Sequence, residues 1–423
     1  MSTRKLQVVF LEILILLMPY HYLVFAVLLA NVPVLKLWRD VLLVAVLVLE
    51  IMRSDGVKRD SALVSDIVFI FLSIVYIFLA PSTFKALNIT RVYLLPILVF
   101  HVVKNLALTE QEIQSFLKKL MVSTVILCVY GIVQAFLLGP DFLVMLGYSN
   151  NDGVLSHTYF LSNYGGNVLG RTVQRVVSTF SSANVCAFYL CCVLIVYLSA
   201  RKQIKISKVA YYSFMFLVFA TIVLTFSRSS WLALAIAVLL TNAAPLWAFV
   251  RKGWKPIACL AVAALIVVIG SESLQKALIH IINSSLSGSD TSVVNHFSTI
   301  EMAITKVSAS PFGLGLGENG PRALNYGPAN LVESSYFLMA FEYGIIGAVL
   351  YFYDYVFMMI YALKNRRHAK QLCAVCLCLA VFALIAYFNI PYVQEIECTG
   401  FICIVFGLLY AQFDRKKQLA QQQ

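Results

Sequence analysis

The sequence predicts an all-α fold, a polytopic bundle of about twelve membrane helices. Three observations predict it. The 423 residues are 61% hydrophobic and only 12% charged, whereas a soluble domain carries about a quarter charged residues. Mean hydropathy is +0.86. Continuous apolar runs long enough to cross a hydrocarbon core of about 30 Å recur along the chain. They do not alternate polar and apolar residues, which argues against an outer-membrane barrel.

The N-terminus, MSTRKLQVVFLEILILL, has the charges and apolar run of a signal peptide but no small-residue cleavage site. The stretch MPYHYLVFAVLL continues the run, so 8–30 reads as one uncleaved helix. Apolar runs at 38–53, 62–80, 88–106 and 117–138 give the next four helices, and 178–200 the sixth. The run over 209–250 is too long for one span and fits two, 208–226 and 229–250. Arg228, which first looks stranded in mid-membrane, then falls at the tight turn of a hairpin. Runs at 255–271, 334–363, 371–390 and 396–413 complete the set, and 1–423 reads as a single integral membrane domain.

Two connections are long, 139–177 and 272–333. The second contains SLQKALIHIINSSL (273–286), whose apolar residues recur at helical spacing and suit a helix lying on the membrane or on the bundle. TIEMAITKVSASPFG reads as a second short helix ending before Pro311. No internal repeat is evident.

The net charge of +12 follows topology. One set of loops is short and basic: Arg4 and Lys5; Arg53, Lys58 and Arg59; Lys104, Lys118 and Lys119; Arg201, Lys202, Lys205 and Lys208; Arg251, Lys252 and Lys255; Lys364, Arg366, Arg367 and Lys370; Arg415, Lys416 and Lys417. Cations on the other side are sparse. By the positive-inside rule the basic loops and both termini are cytoplasmic. The basic balance thus reports orientation and contact with anionic lipid, and argues against nucleic-acid binding. Of ten cysteines, nine fall in apolar spans and Cys398 at the edge of one, which reads as packing; the CxxC of CAVCLC has no second half and no nearby ligand set.

The few extracytoplasmic charges are the candidate chemistry. GRTVQRVVSTFSSANVCAFYL (170–190) brings Arg171 and Arg175 to a helix mouth, with Ser178, Thr179 and Ser181 as candidate caps. TFSRSSWLAL places Arg228 at a second mouth. Arginine suits phosphate because its planar fork donates paired hydrogen bonds and stays charged. Arg171, Arg175 and Arg228 therefore fit a lipid-linked diphosphate, and the competing reading of Arg228 is a snorkelling turn residue. SPFGLGLGENGP (310–321) lies away from any strand, so it reads as tight backbone near substrate or packed on the bundle. NLVESSYFLMAFEYGIIG puts Glu333 before the tenth helix, either complementing the helix dipole or acting as a general base. His296 is the other titrating candidate there, against a solvated loop histidine. Asn184, Arg322 and Tyr336 are further candidate substrate contacts.

In order, RVVSTFSSANVCAFYL, VLTFSRSSWLALAIAVLL, AITKVSASPFGLGLG and ESSYFLMAFEYGIIG resemble the O-antigen ligase/Wzy-type polymerase superfamily. The resemblance covers about 171–347; the first 130 residues match only as apolar spans. It implies a GT-C-like membrane glycosyltransferase with no cofactor. Its partners are the bilayer and undecaprenyl-diphosphate-linked oligosaccharides as donor and acceptor, with a chain-length regulator and a flippase as further partners. A hydroxyl of one lipid-linked unit attacks the anomeric carbon of another. Arg171, Arg175 and Arg228 stabilise the leaving diphosphate, Glu333 takes the proton, and the centre inverts. Ligases usually show a His-Asn pair where this chain has Glu333-Ser334, and many members carry an arginine where it has His296. The lack of the His-Asn pair favours the polymerase. The alternatives are a ligase moving the glycan to another acceptor, and a lipid-linked oligosaccharide flippase or transporter using Glu12, Glu50, Asp66 and Glu342.

Overall fold

The computed structural model describes residues 3–53, 58–106, 108–148, 167–168, 171–172, 175–201, 203–241 and 291–422. It is a helix bundle. In chain order the helices are α1 (Thr3–Leu17), α2 (Trp38–Arg53), α3 (Ser61–Leu79), α4 (Thr83–Val103), α5 (Glu110–Val133), α6 (Gly139–Leu146), α7 (Ala183–Ala200) and α8 (Lys208–Leu224). They continue with α9 (Arg228–Thr241), α10 (Thr291–Ala309), α11 (Ser335–Lys364), α12 (Lys370–Ala386) and α13 (Ile396–Gln421). Asn167–Val168 and Arg171–Thr172 form a two-residue antiparallel pair. Among the described residues five helices are long and apolar enough to cross a membrane, six with a bent pair at α1 counted as one, and four shorter apolar helices accompany them.

Local sequence sets the helix ends. The capping box of Thr109 and Glu112 starts α5 seven residues before the apolar run. Ser82 caps α4 in the same manner, moving its start from 88 to 83. The sixth span begins at 183 and not at 178, because Ser182 is its cap; Ser178 and Thr179 bond elsewhere. The first span is not one straight helix. It bends by 63° between Tyr20 and Tyr22, where Pro19 withdraws a backbone donor. The helix expected before Pro311 is α10. The span expected at 255–271 and the surface helix expected at 273–286 lie outside the described residues.

The core is built around α13, the most enclosed of the long helices, which packs chiefly on α4 and also on α7, α11 and α12. Large apolar side chains cover the perimeter as well, among them Ile51, Phe78 and Phe216. Apolar surface outside and inside is the pattern of a bundle solvated by lipid. The cysteines expected to pack are buried and unbridged wherever they are described.

The bundle has two unlike ends. At one, the starts of α1 and α5 are joined by Arg4 and Glu112 (2.7 Å), while Lys104 pairs with Asp60 (2.9 Å) and Lys58 with Asp414 (2.5 Å). This is the end of the basic loops. At the other, α1 breaks, α3 stops and α8 turns into α9. The helix α11 is interrupted at the level of that second end. Gly344 has φ +71, and a Cβ there would stand 2.6 Å from the Pro311 carbonyl oxygen. From the break to Lys364 the helix spans about 30 Å at 1.5 Å per residue, one hydrocarbon thickness.

Candidate active site

The site assembles at the end of the bundle where α11 is broken. Arg175 is buried there, 4% exposed. Its Nε donates to the Thr225 carbonyl (2.6 Å) and its Nη2 to Asn184 Oδ1 (2.8 Å). Next to it, Val176 N donates to the Leu224 carbonyl (3.0 Å). The VVSTFSSAN strand is thus laid across the α8–α9 turn and held to the first turn of α7. The turn itself is tied by Trp231 Nε1 to the Ile222 carbonyl (2.9 Å) and by Ser227 Oγ to Ser230 Oγ (3.0 Å). Arg228 begins α9 and is exposed. The hairpin predicted from span length is present, and Arg228 stands at its turn, where an N-terminal helix dipole adds positive potential.

The backbone here is strained. Among the described residues the two non-glycines at positive φ are Ser178 (+56°) and Phe226 (+52°), one on each segment that carries an arginine. Such conformations cost about 1–3 kcal/mol and persist only where surroundings enforce them. Ser178 Oγ donates to the Leu127 carbonyl (2.8 Å), its N–H to Gln134 Oε1 (3.3 Å), and Thr179 Oγ1 to the Pro19 carbonyl (2.7 Å). The last acceptor belongs to the break in the first span. Gly131 leaves the room needed: a Cβ would sit 2.7 Å from Val176 Cγ1.

Glu333 is exposed beside a cleft shared with Thr299, Ile300 and Ala303 of α10 and with Phe388 and Asn389 after α12. His296 lies on α10, one helical turn before Ile300, and its side chain is outside the described residues, as is that of Arg171. Tyr336 is a strut, its hydroxyl donating to the Leu384 carbonyl (2.5 Å) and its ring packing on Phe352. The glycine-rich segment takes the packed alternative. Gly317 N and Asn319 N donate to Glu342 (2.6 and 3.2 Å), and Leu314 N donates to the Phe341 carbonyl, so the loop plugs the break in α11.

One stretch joins several parts of this end, residues 388–397, which run from the connection after α12 into the first turn of α13. Phe388 and Asn389 line the Glu333 cleft. Tyr392 Oη donates to the Asn184 carbonyl (3.3 Å) and meets Ser230 Oγ at 3.4 Å, within the arginine hairpin. Gln394 accepts from Arg322 N (3.0 Å) and donates to Tyr93 Oη and the Asn319 carbonyl (both 3.1 Å). Glu395 pairs with Arg322 at 3.4 Å, and Glu397 pairs with Arg39. Burial pushes the Glu395 carboxyl up to about 6, against the downward pull of Arg322.

The structure therefore brings together Arg175, Asn184, Arg228 and Tyr392, and links them through one connection to Glu333 and Arg322. Sequence reasoning missed Tyr392, Gln394, Glu395, Glu397 and their partners Arg39, Asp40 and Arg91. Sequence marks these groups only as charged or polar residues near the ends of apolar runs, and nothing in it pairs them.

Residues 213–352, from α8 through the turn at Arg228 and the glycine-rich loop into α11, match the family model of the O-antigen ligases. No curated protein matches the chain. The matched region, a third of the chain, carries the Arg228 turn, the Glu342 plug and the Glu333 cleft on one membrane-helix bundle, and over that region the chain is similar to the O-antigen ligases.

Proposed function

We propose that this protein is a polysaccharide polymerase of the bacterial cytoplasmic membrane, with its site on the extracytoplasmic face and both termini in the cytoplasm. It transfers a glycan from undecaprenyl diphosphate to a hydroxyl of another lipid-linked repeat unit. The observation that carries this reading is the clasp of Arg175 over the α8–α9 turn, which presents Arg228 at a helix N-terminus. Charge develops on the diphosphate as the glycosidic bond breaks. Guanidinium groups and a helix N-terminus fixed in advance stabilise that charge without reorganising. Glu333, at the neighbouring cleft, takes the proton of the attacking hydroxyl, and a single displacement inverts the anomeric centre.

The test is glycan chain length in a deletion host carrying Arg228→Ala or Glu333→Gln. Loss of one charge stabiliser costs about 100-fold or more in rate and loss of a general base about 100-fold or more, so both variants should yield single repeat units at normal protein level. Full-length polymer from both would overturn these roles. The family description favours a second reading, a ligase. Normal-length polymer left on its carrier lipid would support it.

The mid-span acids that a transporter would use all have partners. Glu12 pairs with Lys119, Glu50 accepts from Gln7 and Asn105, Asp66 meets His101, and Glu342 accepts the loop amides. Purified protein in liposomes that moved lipid-linked units without joining them would favour transport.

A further inference from the structure

Beside the arginine hairpin lies a second charged neighbourhood, built from chain segments far apart. Arg39 and Asp40 open α2, Arg91 lies on α4, Arg322 follows the glycine-rich loop, Glu395 precedes α13 and Glu397 lies in its first turn. The pairs are Arg39–Glu397, Arg91–Asp40 (3.3 Å) and Arg322–Glu395 (3.4 Å). Cross-terms join the pairs into one group: Arg39 and Arg322 both act on Asp40 and on Glu397, and His21 feels Arg39, Glu397 and Arg322. Trp38 Nε1 donates to His21 Nδ1 (3.0 Å), placing a half-buried indole against the same group.

Two properties set this group apart. Its formal charge is balanced, three guanidiniums against three carboxylates, so it holds neither a free anion nor a free cation well. It is also incomplete. Arg39 Nε, Arg91 Nε and Arg322 Nε are buried donors, and Asp40 Oδ1 and Glu397 Oε2 buried acceptors, none with a hydrogen-bond partner among the described residues. Arg39 and Glu397 are themselves 5% and 4% exposed. Each such atom costs about 1–3 kcal/mol while unpaired. The rim is reachable, with the side chains of Arg91, Arg322 and Glu395 at 37%, 27% and 23% exposure. A neutral ligand whose every polar group both donates and accepts fits interleaved donors and acceptors beside an aromatic ring. Such a ligand is a polyhydroxylated sugar ring.

We propose that Arg39, Asp40, Arg91, Arg322, Glu395 and Glu397 form a sugar-binding subsite that holds the glycan of the acceptor, separate from the diphosphate-binding arginines. This rests on the glycosyl-transfer reading above. The stretch of residues 388–397 forms part of both places, with Tyr392 at the hairpin and Glu395 and Glu397 at the subsite, so a glycan seated on one side faces a diphosphate on the other.

The test is a titration of the full chain in detergent or nanodiscs, reading tryptophan fluorescence with Trp38→Phe as the blank. One probe is the soluble repeat-unit oligosaccharide released from the host's own polymer; the other is inorganic pyrophosphate. The expected result is a saturable change with oligosaccharide, absent in Trp38→Phe and weakened at least about 10-fold, near 1.4 kcal/mol, in Arg322→Gln. The double variant Arg91→Gln/Asp40→Asn keeps the size of its pair and the balance of charge, and should weaken binding likewise if Arg322→Gln does not fold. Arg228→Ala should bind oligosaccharide as the wild type does. A response to pyrophosphate alone, or oligosaccharide binding indifferent to both subsite variants, would overturn the proposal. If Arg228→Ala loses polymer while wild-type protein ignores oligosaccharide, this inference fails alone. If oligosaccharide binds as expected while Arg228→Ala polymerises normally, the subsite stands and the arginine role fails.

Discussion

Arg175 shows how much rests on one side chain. Its Nε and Nη2 point in different directions of a planar fork, to a carbonyl on the α8–α9 turn and an amide on α7. Lysine has the charge but not the fork. Arg175→Lys should therefore fold and yet lose about 10-fold or more in polymer formation, as each lost hydrogen bond of a charged group is worth about 1.5–3 kcal/mol; pulse-labelled glycan synthesis in membranes checks this. Glu395 gives a pH prediction. Its carboxyl lies at about 6 in the folded protein, above an unfolded value of about 4.3. Raised in this sense, the group contributes stability that is full below its unfolded value and is lost as pH rises through about 6. The ion pair with Arg322 forms only above that same value. Oligosaccharide binding should accordingly weaken below about pH 6, and Glu395→Gln should flatten that acid limb; a titration series from pH 5 to 8 reads both. Arg171, Arg175, Arg228 and Glu333 could be put forward from sequence because motif order and loop charge mark them. Arg39 and Glu397 could not, because their pairing spans 358 positions and only folding brings them together.

At the scale of the element, the informative feature is the broken helix. Local hydropathy reads 334–363 as one span and gives no sign that Gly344 interrupts it. The interruption depends on a partner, the SPFGLGLGENGP loop, whose Pro311 carbonyl receives Ile345 N (3.0 Å) and whose amides bind Glu342. Gly344→Ala should be severe, because it combines a positive φ with a Cβ 2.6 Å from a carbonyl oxygen. Strain and displacement together should cost about 3 kcal/mol or more, seen as a large fall in detergent-solubilised yield and in melting temperature. The break in the first span was legible in principle, since Pro19 stands in it. Its purpose was not: the freed carbonyl serves Thr179, in a segment 160 positions away.

For the whole molecule, the helical fold was legible because lipid demands that each spanning segment satisfy its own backbone and be apolar at its surface. Composition reports both. The sidedness proposed from the loop charges has a direct check. The described native cysteines are buried and should stay silent to an impermeant maleimide. Cysteine at Glu333 should label in intact cells, and cysteine at Lys417 only after permeabilisation. The reverse pattern would place the site in the cytoplasm. What composition could not convey is which loops meet. The bundle decides that, and it gives the central role to the connection after α12 and the first turn of α13, which sequence reads as the end of one span, a short gap and the start of the next.

That connection precedes α13, the helix around which α4, α7, α11 and α12 are arranged. Ribosomes deliver it after every one of those neighbours. Throughout synthesis the earlier helices can enter the bilayer, yet Arg39, Arg322, Asn184 and Ser230 wait for partners still inside the ribosome. The charged and polar groups at this end of the bundle are thus left incomplete until α13 slots home, and a chain stalled before residue 388 should be a substrate for membrane proteases.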